Sequence, residues 1–279
     1  MIIGYTTGAF DMFHIGHLNI LRRAKEQCDY LIVGVSTDEL VEKEKNKRPI
    51  IPFESRCAII DAIRYVDKVV PQKDKNKFAA WENYHFDKMF VGSDWRGTSQ
   101  SDEYEKQFQP IGVEIVYLPH TNGISSTLLR ETFETPTSGG GGDHNIIGYT
   151  TGVYDLFHIG HLNILRRAKL QCDYLIVGVS TDEVVEGYKH HRPVVPFEER
   201  LAIVSAIKYV DEVVPQTSMD KVAFLKDHHF DVMFHGDEWR GTTLYNHYEK
   251  EFAKYGAKIC YLSYTKGISS SFIRDKIGG

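Results

Sequence analysis

The sequence predicts an α/β protein made of two tandem, Rossmann-like, doubly wound domains with parallel sheets. Three observations predict it. Residues 2–17, IIGYTTGAFDMFHIGH, return as IIGYTTGVYDLFHIGH at 146–161, and the shift of 144 positions then holds without a net gap to the C-terminus. Within each copy, short apolar runs alternate with stretches of helical periodicity, the pattern of strands covered by helices. Runs such as YLIVGVS (Tyr30–Ser36) are continuously apolar, as parallel strands buried on both faces are.

In the first copy, apolar Ile2–Tyr5 opens as a strand and meets a Gly-containing turn. Leu18–Cys28, LNILRRAKEQC, places Leu18, Leu21 and Ala24 at helical spacing. Tyr30–Ser36 follows as the second strand. The pattern continues with a helix near Glu54–Tyr65, strands at Val66–Val70, Lys88–Val91 and Val113–Leu118, helices near Asn76–His85 and Asp102–Gln109, and a final helix after Ser125. The second copy repeats this order. Between the copies, TPTSGGGGD (Thr135–Asp143) carries four consecutive glycines, which exclude regular structure and give a flexible tether. The expected domains are therefore 1–134 and 145–279, joined by a Gly-rich linker at 135–144. Natural duplication and artificial joining of two related chains both fit such a tether.

A chain of 279 residues that is 42% hydrophobic, 25% charged and 12% aromatic has the composition of an ordinary globular protein, neither disordered nor fibrous. Its net charge of -5 argues against nucleic acid as the main partner, because phosphate-backbone binding rests on surplus Lys and Arg. No apolar run nears the roughly 20 residues that span a bilayer, and the first residues read as a strand, so a cytoplasmic protein without a membrane span is expected. Cys28 and Cys172 are equivalents, while Cys57 and Cys260 face Leu201 and Val116 in the other copy. With no CxxC or Cys/His zinc spacing, reduced thiols and no protein metal cage are expected.

The most specific signal is the turn from the first strand into the first helix. In doubly wound sheets this turn is a favoured phosphate site, and a helix N-terminus presents unpaired N–H groups and partial positive charge. Here it carries His14 and His17, repeated as His158 and His161. Two imidazoles at that point add hydrogen-bond donors for the oxygens of a phosphate chain, and Gly16 is expected to let the backbone approach closely. Ser125, Ser126 and Thr127, matched by Ser269, Ser270 and Ser271, open the last helix and offer hydroxyls and N–H groups to a phosphate.

GAFDMFHIGH and GVYDLFHIGH resemble the signature of the HxGH nucleotidyltransferases. Other paired segments, RYVDKV and KYVDEV, GSDWRGT and GDEWRGT, NGISST and KGISSS, are similar to glycerol-3-phosphate cytidylyltransferases. The resemblance implies attack by a substrate phosphate oxygen on the α-phosphorus of CTP, releasing pyrophosphate and forming a CDP-alcohol, with Mg²⁺ carried by the triphosphate. It implies that His14, His17, His158 and His161 bind the triphosphate, and that Lys45 and Lys189, in the loop after the second strand, reach the reacting phosphates. Nucleotide contacts are implied at Thr7, Gly8, Phe10, Asp94 and Trp95, at Thr151, Gly152, Tyr154, Glu238 and Trp239, and at the two Ser-rich helix starts. Substrate contacts are implied at Asp11, Lys47, Arg64, Asp155 and Lys208.

Departures from the family pattern sit before the last helix, where HTNGIS (His120–Ser125) and YTKGIS (Tyr264–Ser269) replace RTEGIS, and at Lys47, whose counterpart is His191. Glycerol 3-phosphate is the expected acceptor. Ethanolamine phosphate or another polyol phosphate, adenylyl transfer, and one catalytic copy with a structural partner are the alternatives. Relatives of this kind are homodimers, so an internal pseudo-dimer of the two copies is expected.

Overall fold

Strand formation follows the apolar, β-branched runs read above. The computed structural model describes residues 1–119 and 145–278, and these separate into two compact units, one per copy. In the first unit, β1 (Ile3–Gly8), β2 (Tyr30–Ser36), β3 (Lys68–Gln72), β4 (Lys88–Gly92) and β5 (Glu114–Leu118) form one sheet ordered β3-β2-β1-β4-β5. In the second, β6 (Ile147–Gly152), β7 (Tyr174–Ser180), β8 (Glu212–Gln216), β9 (Val232–Gly236) and β10 (Lys258–Leu262) form its counterpart, β10-β9-β6-β7-β8. Every pairing is parallel. The α/β, doubly wound expectation therefore holds in both copies. The tether at 135–144 and the first copy's last helix lie outside the described residues.

The helices are α1 (Ile15–Lys25), α2 (Asp38–Lys45), α3 (Phe53–Asp61), α4 (Lys77–Tyr84) and α5 (Ser99–Phe108). Their second-copy equivalents are α6 (Ile159–Lys169), α7 (Asp182–Lys189), α8 (Phe197–Ser205), α9 (Lys221–His228) and α10 (Thr243–Ala253), followed by α11 (Ser270–Gly278). Two expectations need correction. The helix expected from Leu18 begins at Ile15, so the second histidine of each motif stands inside its first turn. The segment after β2, read as a loop, is the helix α2, whose sequence DELVEKEK buries only Leu40 and Val41 and so shows little apolar periodicity.

Each sheet buries both faces. On one, aromatics dominate: Tyr5 stacks on Phe86 at 4.8 Å between centroids, and Phe108 and Met89 pack in the same cluster. Tyr149, Phe230 and Phe252 repeat this in the second unit. On the other, Leu18, Leu21 and Ala24 of α1 and Ile59 and Ile60 of α3 are at most 2% exposed. Both helices are thus fixed by burial, which holds their N-termini at the sheet's carboxyl edge.

Candidate active site

The chain reverses its direction of travel across the sheet between β1 and β4. Ligands of open parallel sheets bind at the carboxyl ends of strands flanking such a switch point. The TTGAFDMFHIGH turn leaves β1 there, and TTGVYDLFHIGH leaves β6 at the equivalent place.

His14 is the N-cap of α1. Its Nδ1 accepts a hydrogen bond from the Gly16 backbone N–H at 3.1 Å, and His158 does the same with Gly160. A neutral imidazole that accepts at Nδ1 carries its proton on Nε2, so the cap leaves an Nε2–H donor at the helix start. The ring of His17 stacks on that of His14 at 3.8 Å, and His161 on His158 at 3.9 Å. In the second copy the His158 backbone N–H also donates to His161 Nδ1, at 3.4 Å. Burial pushes the His17 ring down to about 3, assisted by the neighbouring His14 and Lys45, and the His158 ring down to about 4. His14 and His161 are lowered for the same primary reason. All four are uncharged at neutral pH, so the positive potential comes from the helix start and from lysine.

The glycine between the histidines also makes room for the capping ring. A Cβ on Gly16 would lie 2.9 Å from His14 Cε1, and one on Gly160 would lie 2.8 Å from His158 Cε1. Glycine is required there by the capping ring.

The turn is strained and is held by polar anchors. Phe10 and Met12 have φ of 52° and 46°, repeated as 56° and 49° at Tyr154 and Leu156. Non-glycine residues in this region cost about 1–2 kcal/mol each, so the surroundings must enforce the shape. Asp11 accepts from the backbone N–H groups of Ile50 and Ile51, both at 2.9 Å, and Asp155 from Val194 and Val195. Both are expected to touch substrate; their carboxylates tie the turn to the loops before α3 and α8, and Asp155 also lies 3.3 Å from Arg274 on the wall of a cavity. Phe10 and Tyr154 are 4% exposed and set their rings edge-on to His17 and His161 at 5.3 Å. They support the imidazoles, leaving only their backbone for a nucleotide.

Sequence reasoning missed the strongest anchor. Arg56, fully buried on α3, donates to the carbonyls of Ala9, Ser36 and Ile51 and pairs with Asp38 at the start of α2. Arg200 repeats every contact with Val153, Ser180, Val195 and Asp182. One guanidinium thus joins the phosphate turn, the end of β2, α2 and the loop before α3. The available signal was an arginine kept at the same shift in PFESR and PFEER.

Lys45 and Lys189 are the last residues of α2 and α7. In the first copy a cavity of about 320 Å³ brings Lys45 together with Thr7, Gly8 and Trp95, all expected, and with Lys77, which was not. Lys77 and Lys221 are 6% and 4% exposed, and burial lowers both ammonium groups to about 8. In the second copy a cavity of about 350 Å³ joins His161, Lys189, Asp155, Ser270 and Ser271. His191, the counterpart of Lys47, lines it as well and lies 3.3 Å from Arg274.

The remaining expected residues divide. Ser269 accepts from the Phe272 N–H at 3.1 Å as a helix cap, and Ser270 donates to the Asp155 carbonyl at 2.7 Å, while Ser271 lines the same cavity as Ser270. Thr151 donates to Gln216, at the end of β6 beside Gly152. Asp94 and Glu238 are exposed on the 3₁₀ turns after β4 and β9, beside Trp95 and Trp239. Arg64, Lys208 and Lys47 are exposed and line neither cavity. Ser125, Ser126 and Thr127 lie outside the described residues. Among the described residues no helix is long and apolar enough to cross a membrane, and all four cysteines are free thiols.

Residues 5–132 match a family model described as cytidylyltransferase-like, and residues 149–276 match it again. The chain is 31% identical over 258 residues to a probable ethanolamine-phosphate cytidylyltransferase of Encephalitozoon cuniculi, covering 82% of this chain and 80% of that one. It is 39% identical over 127 residues to the glycerol-3-phosphate cytidylyltransferase of Bacillus subtilis, covering 45% of this chain and 92% of that one. Among solved structures, the lipopolysaccharide core biosynthesis protein of Thermoplasma volcanium matches with a TM-score of 0.39 and 24% identity, over 44% of this chain and 99% of that one.

Proposed function

Since the chain belongs to the cytidylyltransferase-like family, we propose that each copy moves CMP from CTP to a phosphorylated alcohol, with a phosphorylated amino alcohol of the ethanolamine type as the leading acceptor. The acceptor differs from the glycerol 3-phosphate expected above because the relatives that span both copies, in Encephalitozoon cuniculi, Arabidopsis thaliana and Dictyostelium discoideum, are ethanolamine-phosphate cytidylyltransferases. Glycerol 3-phosphate keeps the support of relatives that match one copy's length.

The observation that carries the reading is the pair of stacked, uncharged imidazoles at a helix start, duplicated with the same Nδ1 cap on the glycine N–H. An acceptor phosphate is already ionised at neutral pH, with a second pKa near 6, so no side chain need remove a proton from it. Its oxygen attacks the α-phosphorus, an O–P bond forms, the bond to the β-phosphate bridging oxygen breaks, and pyrophosphate leaves with that electron pair. The work of the protein is positioning and charge stabilisation. The Nε2–H group of His14, with the His17 ring stacked against it, donates to the triphosphate oxygens, where each preorganised donor contributes about 2.7–4 kcal/mol. Lys45 and Lys77 hold the incoming phosphate against that centre.

Magnesium enters with CTP as part of the substrate. The fit is consistent: Asp11 and Asp155, the carboxylates of the two histidine turns, accept from backbone N–H groups, Asp155 also pairs with Arg274, and the triphosphate supplies the oxygens that Mg²⁺ prefers.

Pyrophosphate release tests the reading. CTP with phosphoethanolamine is expected to turn over and ATP is not, and chelation with EDTA is expected to stop it. Turnover with ATP alone, or none with any phosphorylated alcohol, would overturn it.

A further inference from the structure

The two copies share their phosphate machinery but differ on one wall beside it. In copy 1, Glu44 near the end of α2 and Lys75 in the loop after β3 form an ion pair, Nζ to Oε1 3.5 Å. Both line the cavity that holds Lys45 and Lys77, and so does Gln100 of α5. At the same positions, 144 residues on, copy 2 has Tyr188, Met219 and Leu244. The ion pair has been replaced as a unit by two apolar side chains, and the neighbouring amide by a third.

These replacements are not core packing. Tyr188 is 43% exposed, Met219 43% and Leu244 46%, and Trp239, the counterpart of Trp95, is 40% exposed. Isolated exposed apolar side chains are common and need no explanation. Here four of them fall on positions whose equivalents all line one cavity, and copy 1 attains the same fold with three of the four polar. The fold therefore does not demand them.

From this we infer that the copies take different acceptors: copy 1 a phosphorylated polyol, copy 2 a phosphorylated amino alcohol. The inference rests on the cytidylyl-transfer reading above. Glu44, Lys75 and Gln100 give donors and acceptors to alcohol hydroxyls, which an apolar wall would leave unpaired. Tyr188, whose ring has Lys189 Nζ 5.7 Å from its centroid, and Met219 instead offer an aromatic face and a polarisable sulfur, which suit an alkylammonium group through cation–π attraction; Trp239 is shared with copy 1 as Trp95 and does not sort the acceptors. The buried Lys77 and Lys221 are common to both, so the phosphate end is held alike while the alcohol end is sorted.

The test uses the full chain with one copy silenced at a time. His17→Ala leaves copy 2 to work, and His161→Ala leaves copy 1; each variant's surviving copy reports that the chain has folded. With CTP, His161→Ala is expected to favour glycerol 3-phosphate over phosphoethanolamine by about tenfold or more in kcat/KM, and His17→Ala to show the reverse. Adding Tyr188→Glu, Met219→Lys and Leu244→Gln to His17→Ala is expected to move copy 2's preference towards glycerol 3-phosphate by about tenfold. Equal acceptor ratios in the two single variants, or loss of both activities in either one, would overturn the inference while leaving cytidylyl transfer intact. If the unsubstituted chain releases no pyrophosphate with either acceptor, the parent reading fails, and the inference with it.

Discussion

At the scale of single residues, the site depends on neutral donors, and the glycine between the histidines is part of that device. Gly16→Ala or Gly160→Ala puts a methyl group under 3 Å from the capping ring, so the imidazole must rotate or the helix must shift. Since a misplacement of about 1 Å can cost about 100-fold in rate, turnover at the altered copy is expected to fall by about that order while the melting temperature changes little. A larger loss of stability than of rate would show that the glycine serves folding instead. Lys77 and Lys221 give a pH limb of known sign. Each is protonated below about 8 and neutral above it, and only the cation attracts an acceptor phosphate. The value of kcat/KM is therefore expected to fall as pH rises through about 8, and Lys77→Arg with Lys221→Arg is expected to move that fall upward, because guanidinium stays charged. A profile unchanged by both substitutions would remove these lysines from the acceptor site. The same shift has a stability consequence: the unfolded lysine holds its proton to a higher pH than the folded one, so stability rises with pH between about 8 and the ordinary lysine value.

At the scale of elements, the buried arginine joins pieces that periodicity can only place separately. Arg56→Lys keeps a charge but not the fork that reaches Ala9, Ser36, Ile51 and Asp38 together. Breaking a buried ion pair on one side costs about 3–5 kcal/mol, so Arg56→Ala and Arg200→Ala are expected to lower the melting transition of the affected unit clearly, as read by differential scanning calorimetry. An unchanged transition would mean that the backbone holds the turn without the guanidinium. Helix α2 shows why some of the site was illegible. Its two buried side chains leave no apolar stripe to count, yet its Thr37 cap and the acids Asp38 and Glu39 in its first turn were readable start signals. The strands and α1 were legible because burial on both sheet faces writes itself into continuous apolar runs. Arg56 and Lys77 were not, since a single charged residue inside an apolar environment looks like any surface charge until the partners that satisfy it are known.

At the scale of the whole molecule, duplication made the phosphate turn legible: a motif that chance can supply once recurs with its strand, its helix and its lysine at a constant shift. It also hid the contrast between the copies, because Glu44 and Lys75 gain meaning only when the fold places them on one cavity, which marks Tyr188 and Met219 as their counterparts. The duplicated core leads to a stoichiometry. Both copies keep the capped histidine pair, the strained turn, the buried arginine and the buried lysine, so among the described residues the proposed CTP site is built alike in both. Titration calorimetry is expected to give two CTP per chain, falling to one in His17→Ala and one in His161→Ala. Because a ligand that binds only the folded state stabilises by RT ln(1 + [L]/Kd), about 2.7 kcal/mol at 100 Kd, CTP is expected to raise both melting transitions in the unsubstituted chain and one in each variant. A single CTP per unsubstituted chain, with one transition unmoved, would make the other copy a retained scaffold and would leave its histidine pair without a phosphate to bind.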